Sequence, residues 1–315
     1  MIEPTARALV TGGAGFIGSN LVDLLVDEGW EVLVVDDLSS GHADHLSASR
    51  QRGRVKLHTL DIREDSVVGV AEHFHPHVVY HLAAQVSVPA SVLDPHRDAD
   101  VNILGTINVL TAAHRSGAER IVLAGSAATY GSAVKLPARE TYARHPDSPY
   151  GAAKKAIEDY AHVFSVQHGL DFVVLAPANV YGPRQDASGE GGVVAIFAAA
   201  VTGGRQPTIF GDGTATRDFV FVDDVADAFL RAASRGSGRN LNISSGVETS
   251  VSELYDSIAR LARFRKGPRF NDRRPGDVDR SLLDPGAAER SLGWKAWTPL
   301  EEGLVKTLEW FAKRS

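Results

Sequence analysis

The chain contains no cysteine among its 315 residues. This absence excludes disulfide bridges, thiolate zinc sites and cysteine nucleophiles together, and it fits a reducing compartment. A basic excess is also lacking, because 33 Lys and Arg residues face 39 Asp and Glu residues, for a net charge of -6. Since proteins that bind nucleic acid usually carry a basic surface, we expect no nucleic-acid partner.

Long apolar runs are absent as well. No stretch approaches the roughly 20 consecutive apolar residues that a membrane-spanning helix needs, and the short polar segment Met1–Ala6 does not resemble a signal peptide. We therefore predict a cytoplasmic protein with no membrane partner. The hydrophobic content of 43% and the charged content of 23% are typical of a globular protein.

Short runs rich in Val, Ile and Leu alternate with longer amphipathic segments along the first half of the chain. Such runs suit strands that are buried on both faces of a parallel sheet. They occur at 8–11, 32–36, 55–57, 78–82, 121–123 and 172–175, and helix-like segments lie at 16–28, 65–74, 101–115 and 150–168. This alternation predicts an α/β fold with a doubly wound parallel sheet.

The alternation stops after about residue 176, where loops rich in Gly and Pro separate shorter segments. We therefore predict two domains. Residues 1–177 would form the sheet domain, with a later segment at about 214–245 interleaved with it. Residues 178–315 would form a smaller α/β lobe that binds the substrate.

A glycine motif, Thr11-Gly-Gly-Ala-Gly-Phe-Ile-Gly18, follows the first predicted strand and opens the first predicted helix. Gly12 permits a tight turn, Gly15 lets a pyrophosphate approach the backbone, and Gly18 lets the helix pack on the strand. The free N–H groups of the helix start then attract phosphates. This placement predicts a Rossmann-type dinucleotide site that includes Phe16 and Ile17.

Asp36 and Asp37 end the second predicted strand, about 20 residues beyond the glycine motif. A carboxylate at this point can accept hydrogen bonds from both hydroxyls of the adenosine ribose, and it would repel a 2'-phosphate. The cofactor is therefore predicted to be NAD rather than NADP.

Tyr150 and Lys154 stand one helical turn apart in Tyr150-Gly-Ala-Ala-Lys154. A phenol is a poor base at neutral pH, and a nearby ammonium favours its phenolate. Such a pair alone is weak evidence, because pairs at this spacing are common on helix surfaces. Ser126 follows the fifth predicted strand, and with it the three residues resemble the catalytic set of the short-chain dehydrogenase/reductase superfamily.

Several further stretches resemble the extended branch of that superfamily, and within it the UDP-glucose 4-epimerases. The similarity covers essentially the whole chain and is carried by His81-Leu-Ala-Ala-Gln85, Asp100-Val-Asn102, Ser148-Pro-Tyr-Gly151, Ala178-Asn-Val-Tyr-Gly-Pro-Arg-Gln185, Gly211-Asp-Gly213 with Arg217-Asp218, Arg274-Pro-Gly-Asp277 and the tail from Leu292 to Leu304.

The resemblance implies a set of binding residues. Besides the glycine motif and the two aspartates, the cofactor would contact Asp61, Ile62, Leu82, Ala83, Ala84, Gln85, Asn102, Tyr150, Lys154 and Pro177. The UDP-sugar substrate would contact Ser126, Tyr150, Asn179, Val193, Thr208, Phe210, Arg217, Arg274 and Asp277. In this assignment Arg217 and Arg274 hold the diphosphate, since forked guanidinium donors suit it.

The other substrate residues have narrower roles in the same resemblance. Asn179 would bond the sugar-linked phosphate and Asp277 the uridine ribose, while Thr208 and Phe210 would line the uracil pocket. No metal is implied, because His73, His75 and His77 fit a solvated helix end better than a metal site. The family's subunit contact predicts a homodimer through helices 101–115 and 150–168.

The implied activity is interconversion of UDP-glucose and UDP-galactose by transient NAD-dependent oxidation at C4. Related dehydratases and decarboxylases carry an acidic residue one or two positions after the catalytic Ser or Thr, where this chain has Ala127 and Ala128. UDP-glucuronate stays an alternative substrate, because Arg184 or the loop 185–192 could serve a carboxylate. UDP-N-acetylglucosamine is another, since a small residue, Ser281, stands where some relatives carry Tyr. A cofactor-binding protein without turnover is a further alternative.

Overall fold

The computed structural model describes residues 6–132, 135–188, 192–273 and 278–314. Its strands are β1 (Arg7–Thr11), β2 (Glu31–Asp36), β3 (Val55–Thr59), β4 (Val78–His81), β5 (Arg120–Ala124), β6 (Asp171–Pro177), β7 (Asn179–Tyr181), β8 (Thr208–Phe210), β9 (Thr216–Phe221), β10 (Arg239–Ile243), β11 (Glu248–Ser250) and β12 (Arg269–Asn271). Its α-helices are α1 (Phe16–Asp27), α2 (Ser47–Gln51), α3 (Ser66–Phe74), α4 (Val88–Leu93), α5 (Pro95–Ala99), α6 (Gly105–Arg115), α7 (Pro149–His168), α8 (Val193–Thr202), α9 (Val222–Ala232), α10 (Val251–Leu261), α11 (Gly286–Leu292) and α12 (Leu300–Ala312).

Seven parallel strands form the large sheet, in the order β3-β2-β1-β4-β5-β6-β10. The α/β class and the parallel doubly wound sheet predicted from the sequence are confirmed. The inner strands are mostly apolar and buried, as expected for strands that are covered by helices on both faces of the sheet. The strand order reverses between β1 and β4, so a crevice opens there at the carboxyl ends of the strands.

The chain returns to the large sheet after leaving it at β6. Helix α9 packs against α1, and β10 then pairs in parallel with β6, from Arg239 beside Val173 to Ile243 beside Pro177. Trp294 joins the same apolar core and donates its indole N–H to the Asp224 carbonyl over 2.8 Å. The segment from α9 to β10 thus packs on the large sheet, and the division into two domains at residue 177, with an interleaved segment at about 214–245, stays a prediction.

A second apolar core lies in the part of the chain that follows β6. It is formed by α8, α10 and α12 with β7, β8 and β9, and its buried members include Phe197, Leu254, Ile258, Leu304 and Phe311. This core carries β8 and β9 at the carboxyl edge of the large sheet, on the side of the predicted substrate residues.

The predicted helix at 101–115 differs in its first turn. A π-helical turn, Asp100–Leu104, precedes α6, and Asn102 within this turn is 2% exposed.

Within the described ranges, no helix combines the length and the apolar character needed to cross a membrane.

Candidate active site

The glycine turn between β1 and α1 is shaped for a close approach to its backbone. Gly12 has a φ of +69°, and a Cβ placed on it would lie 2.6 Å from the Ala83 nitrogen. A Cβ on Gly18 would lie 2.1 Å from the Gly12 carbonyl oxygen, so only glycine lets α1 sit this close to the turn. No side chain caps the start of α1 at Gly15. The turn therefore leaves a helix N-terminus and its N–H groups available to a phosphate, as a dinucleotide requires.

Asp36 closes the other side of this turn. Its side chain is 6% exposed and accepts hydrogen bonds from the Ala14 and Leu38 amides, each over 2.9 Å. Burial raises the pKa of Asp36, and these two hydrogen bonds act in the opposite direction. Because each carboxylate oxygen keeps a further lone pair, Asp36 can also accept from ribose hydroxyls. Asp37 is exposed and bonds the Ser39 amide and hydroxyl instead.

The remaining predicted cofactor residues gather at the same edge of the sheet. Asp61 and Ile62 follow β3, Leu82 to Gln85 follow β4, and Pro177 ends β6. Asp61 forms an ion pair with Arg63 over 2.5 Å, and the hydrogen bonds of this arginine lower the pKa of Asp61. The parallel strands thus bring together loops that lie far apart in the sequence.

Asn102 supports the loop after β4. Its Oδ1 accepts from the Gln85 amide and its Nδ2 donates to the Gln85 carbonyl, both over 2.9 Å, while the same Nδ2 donates to Asp98 over 3.0 Å. Both amide donors of Asn102 are therefore used within the protein. Its place in the predicted cofactor site is that of a brace for this loop.

His81 anchors the same loop from below. Thr106 donates its hydroxyl to the Asn102 carbonyl over 2.7 Å, so it accepts from His81 Nε2 over 2.9 Å. His81 Nδ1 then accepts from the Thr11 hydroxyl over 2.7 Å, and Thr11 accepts from the Ala83 amide. Burial lowers the pKa of His81 to about 3, so this histidine is a neutral structural link between β1, β4 and α6.

Ser126, Tyr150 and Lys154 meet above β5. Ser126 caps the short 3₁₀ turn Ala127–Tyr130, and its hydroxyl oxygen accepts from the Ala128 amide over 3.1 Å. Tyr150 is the second residue of α7, where its amide donates to the Ser91 hydroxyl of α4 over 3.2 Å, and its phenol hydrogen-bonds to Ser126. Lys154 Nζ donates to the Ala124 carbonyl over 2.9 Å.

Burial shifts both titratable members of this set. It raises the pKa of Tyr150, and the hydrogen bond from Ser126 partly opposes that rise. It lowers the pKa of Lys154 to about 8, while the Asp98 carboxylate acts to raise it. The Lys154 ammonium lies 5.9 Å from the centre of the Tyr150 ring, and Lys154 as a residue is 5% exposed. The structure therefore places a buried proton donor and a buried cation side by side.

The predicted uracil residues line a cavity of about 620 Å³ between α8 and β8. Thr208 and Phe210 form part of its wall together with Val193, another predicted substrate residue, and Lys266 and Arg269 also line it and carry positive charge. This volume is within the range of small-ligand sites.

The predicted phosphate residues lie on β7 and β9. Asn179 donates to the Asp218 carbonyl over 3.3 Å, and Arg217 donates to the Thr216 carbonyl over 2.8 Å. Arg274 and Asp277 lie outside the described residues. In the described part of the chain, no cluster of His, Asp or Glu could hold a metal ion.

Comparison with known proteins agrees with this geometry. The profile of the NAD dependent epimerase/dehydratase family matches residues 8–244. The chain belongs to that family. It is 46% identical to the UDP-glucose 4-epimerase of Mycolicibacterium smegmatis, over 98% of this chain and 99% of that one.

Two solved structures are also similar. The Thermotoga maritima UDP-glucose 4-epimerase with UDP-glucose has a TM-score of 0.94 and 41% identity, covering 98% of this chain and 99% of that one. The UDP-N-acetylglucosamine 4-epimerase of Methanobrevibacter ruminantium, in complex with UDP-N-acetylmuramic acid, has a TM-score of 0.94 and 32% identity, with 99% of each chain covered.

In the structure of this family member, one residue that was considered as a substrate contact forms an ion pair within the protein. Arg184, a candidate for binding a substrate carboxylate, donates to Asp23 of α1 over 2.5 Å. It does so from a left-handed backbone conformation with a φ of +71°. This ion pair holds the guanidinium against α1, and the hypothesis that Arg184 binds a substrate carboxylate stays a prediction.

Sequence reasoning missed one buried charge in this epimerase/dehydratase fold. Asp98 is 1% exposed and accepts hydrogen bonds from Gln85 and Asn102. The available signal was its spacing, since Asp98 and Asn102 stand one helical turn apart and face the same side. That signal is weak in sequence alone, because most charged residues at such spacing face solvent.

Proposed function

We propose that this chain is a UDP-hexose 4-epimerase that interconverts UDP-glucose and UDP-galactose, with NAD as its cofactor. The observation that carries the proposal is the Ser126–Tyr150–Lys154 set, with alanine at both positions after Ser126. Neither Ala127 nor Ala128 can move a second proton. Oxidation at C4 followed by reduction is therefore the chemistry that this site supports.

The residues divide that chemistry among them. NAD, when bound, would supply the acceptor for the hydride that leaves C4 of the sugar, and inversion requires that this hydride return to the opposite face of the same carbon. Tyr150 takes the proton of the sugar 4-hydroxyl and later gives it back, and Ser126 holds the 4-oxygen within reach of the phenol. The charge of Lys154 favours the phenolate that burial disfavours. Asp36 holds the adenosine ribose of the cofactor through its remaining acceptor lone pairs. The amides of the glycine turn hold the diphosphate.

UDP-N-acetylglucosamine is the second candidate substrate, and one residue favours it. Ser281 donates its amide to the Thr216 carbonyl over 3.2 Å and so lies beside the strand that carries Arg217. A serine leaves more room near the substrate's C2 group than the Tyr of some relatives. The similarity to the UDP-N-acetylglucosamine 4-epimerase of Methanobrevibacter ruminantium supports this alternative.

A homodimer is part of the proposal. Apolar side chains stand exposed on α4, before α6 and on α7, with Leu93 86% exposed and Leu104 58% exposed; the others are Val88, Val92, Tyr160, Val163 and Val166. Exposed apolar patches of this kind commonly mark protein contacts. A second copy of the chain would cover these side chains by pairing its α6 and α7 with those of the first copy. We also propose that the protein acts in the cytoplasm.

The test is product analysis. Purified protein is incubated separately with UDP-glucose, UDP-N-acetylglucosamine and UDP-glucuronate, and each product is identified by NMR. We expect UDP-galactose from the first and no epimer from UDP-glucuronate. Binding of NAD without turnover of any of the three would instead support a non-catalytic binding protein.

A further inference from the structure

Asp98 is a buried carboxylate that no cation among the described residues contacts. Its Oδ1 accepts from Gln85 Nε2 over 2.8 Å and from Asn102 Nδ2 over 3.0 Å. Both donors are neutral amides, and among the described residues no Lys, Arg or His nitrogen lies within 4.0 Å of this carboxylate. Hydrogen bonds from amides lower the free-energy cost of burying the carboxylate charge, but they do not neutralise it. The charge therefore still acts on titratable groups beyond its hydrogen-bond partners.

Two groups in that field are Tyr150 and Lys154. Helix α5, which carries Asp98, packs against α7, which carries both of them. The negative charge of Asp98 raises the pKa of Lys154 and also raises the pKa of Tyr150. For Lys154 this opposes burial, and for Tyr150 it adds to burial. Removing the charge would therefore lower both pKa values.

Within the described part of the chain, the other elements around Tyr150 and Lys154 contribute no comparable charge. His81 of β4 is buried and neutral, held by two threonines. From β5, Lys154 receives only the Ala124 carbonyl. One turn farther along α7, Glu158 is ion-paired with Arg144. Among the described groups that face the pair, Asp98 is thus the anion that no cation contacts.

We propose that Asp98, fixed by Gln85 and Asn102, is a positioning residue whose charge sets the pH range in which the Tyr150–Lys154 pair works. The inference rests on the proposed function, because it assumes that these two residues are catalytic. The segment before α6, which carries Asp98 and Asn102, thereby contributes to the electrostatic field around Tyr150 and Lys154. The amides hold the carboxylate at a fixed place, and Lys154 keeps its proton near neutral pH as a result.

The test compares Asp98→Asn with Asp100→Asn. The asparagine at 98 keeps an oxygen that can accept from both amides while it removes the charge. Asp100 lies two residues away but is half exposed and paired with Arg63 over 2.5 Å, so its variant is a matched control. Lysine labelled with ¹³C is followed by NMR as the pH changes, and the Lys154 signal is assigned by its loss in Lys154→Met.

We expect the titration midpoint of Lys154 to fall by about 1 pH unit in Asp98→Asn and to stay unchanged in Asp100→Asn. Both limbs of the pH–rate profile should move toward acid in Asp98→Asn. An unchanged Lys154 midpoint in folded Asp98→Asn would overturn the proposal. The NMR readout does not depend on turnover. If the Lys154 midpoint falls in Asp98→Asn but the wild-type protein does not epimerise UDP-glucose, the proposed function is refuted and the coupling between Asp98 and Lys154 stands.

A second variant keeps the proposal testable if Asp98→Asn does not fold. Coupling between two titrating groups is reciprocal. Lys154→Met should therefore raise the midpoint of the Asp98 carboxyl, measured with ¹³C-labelled aspartate, by the amount that Asp98 contributes to Lys154. No movement of the Asp98 signal would refute the coupling.

Discussion

Alanine substitution at two glycines should have opposite effects on this protein. Gly18 lies in the first turn of α1, where an added Cβ would be 2.1 Å from the Gly12 carbonyl oxygen. Gly69 lies in α3 and is exposed, and apart from the adjacent residues and backbone of its own helix, no described heavy atom lies within 4 Å of the place that an added Cβ would take. The chemical change is the same at both positions, so any difference comes from the surroundings.

The magnitudes follow from these distances. Normal contact between a carbon and an oxygen is about 1 Å longer than the Gly18 separation, so either α1 or the turn must move. Overpacking of this kind costs about 1–3 kcal/mol, and the movement displaces the amides that face the phosphates. Gly69→Ala removes only a helix-interior glycine and should stabilise the fold by about 0.5–1 kcal/mol.

The assay combines thermal unfolding with calorimetric titration of NAD on cofactor-free protein. We expect Gly18→Ala to lower Tm by several degrees and to weaken NAD binding by at least ~10-fold, which corresponds to about 1.4 kcal/mol. Gly69→Ala should raise Tm slightly and leave NAD affinity unchanged. Wild-type NAD affinity in Gly18→Ala would show that the close packing of α1 on the turn is not what shapes the cofactor site.

Three further predictions concern the reaction. Tyr150→Phe should bind UDP-glucose normally but lose at least ~100-fold in kcat, as expected for a positioned acid–base group, whereas Tyr160→Phe on the same helix should keep its activity; equal activities would refute the role of the phenol. Because the hydride returns to the sugar, absorbance at 340 nm should show no stoichiometric NADH, and steady accumulation would indicate a net dehydrogenase. Ser281→Tyr should lower turnover of UDP-N-acetylglucosamine relative to UDP-glucose by about 5- to 150-fold, measured as the ratio of kcat/KM values, and an equal effect on both would show that this position does not form the C2 wall.

The sheet and its helices could be predicted because each apolar run has a length and a boundary that suit only one element. The predicted strand at 32–36 and the predicted helix at 16–28 differ from β2 and α1 by a single residue at one end. The π-helical turn at Asp100–Leu104 could not be predicted, because one extra residue in a turn leaves the apolar pattern almost unchanged.

The features of the candidate site also fall into those that the sequence could predict and those that it could not. The glycine turn and the Tyr150–Lys154 spacing are local patterns, and local patterns can be read in sequence. The engagement of Arg184 with Asp23 joins residues 161 positions apart, and the burial of Asp98 depends on how α5 packs against α7. Such properties arise only when distant segments meet, so single-sequence reasoning had no access to them.

The late return of the chain to the large sheet has a consequence for its synthesis. Until β10 has been made, β6 is an edge strand whose hydrogen-bonding groups on that side have no partner. Unpaired apolar edges of this kind can join with the edges of other chains. A nascent chain that stops shortly after β6 would therefore expose both this edge and the face of α1 that α9 covers. We expect fragments that end between β6 and β10 to aggregate. The edge of β6 is covered only when β10 has been synthesised as far as Ile243 and has left the ribosome.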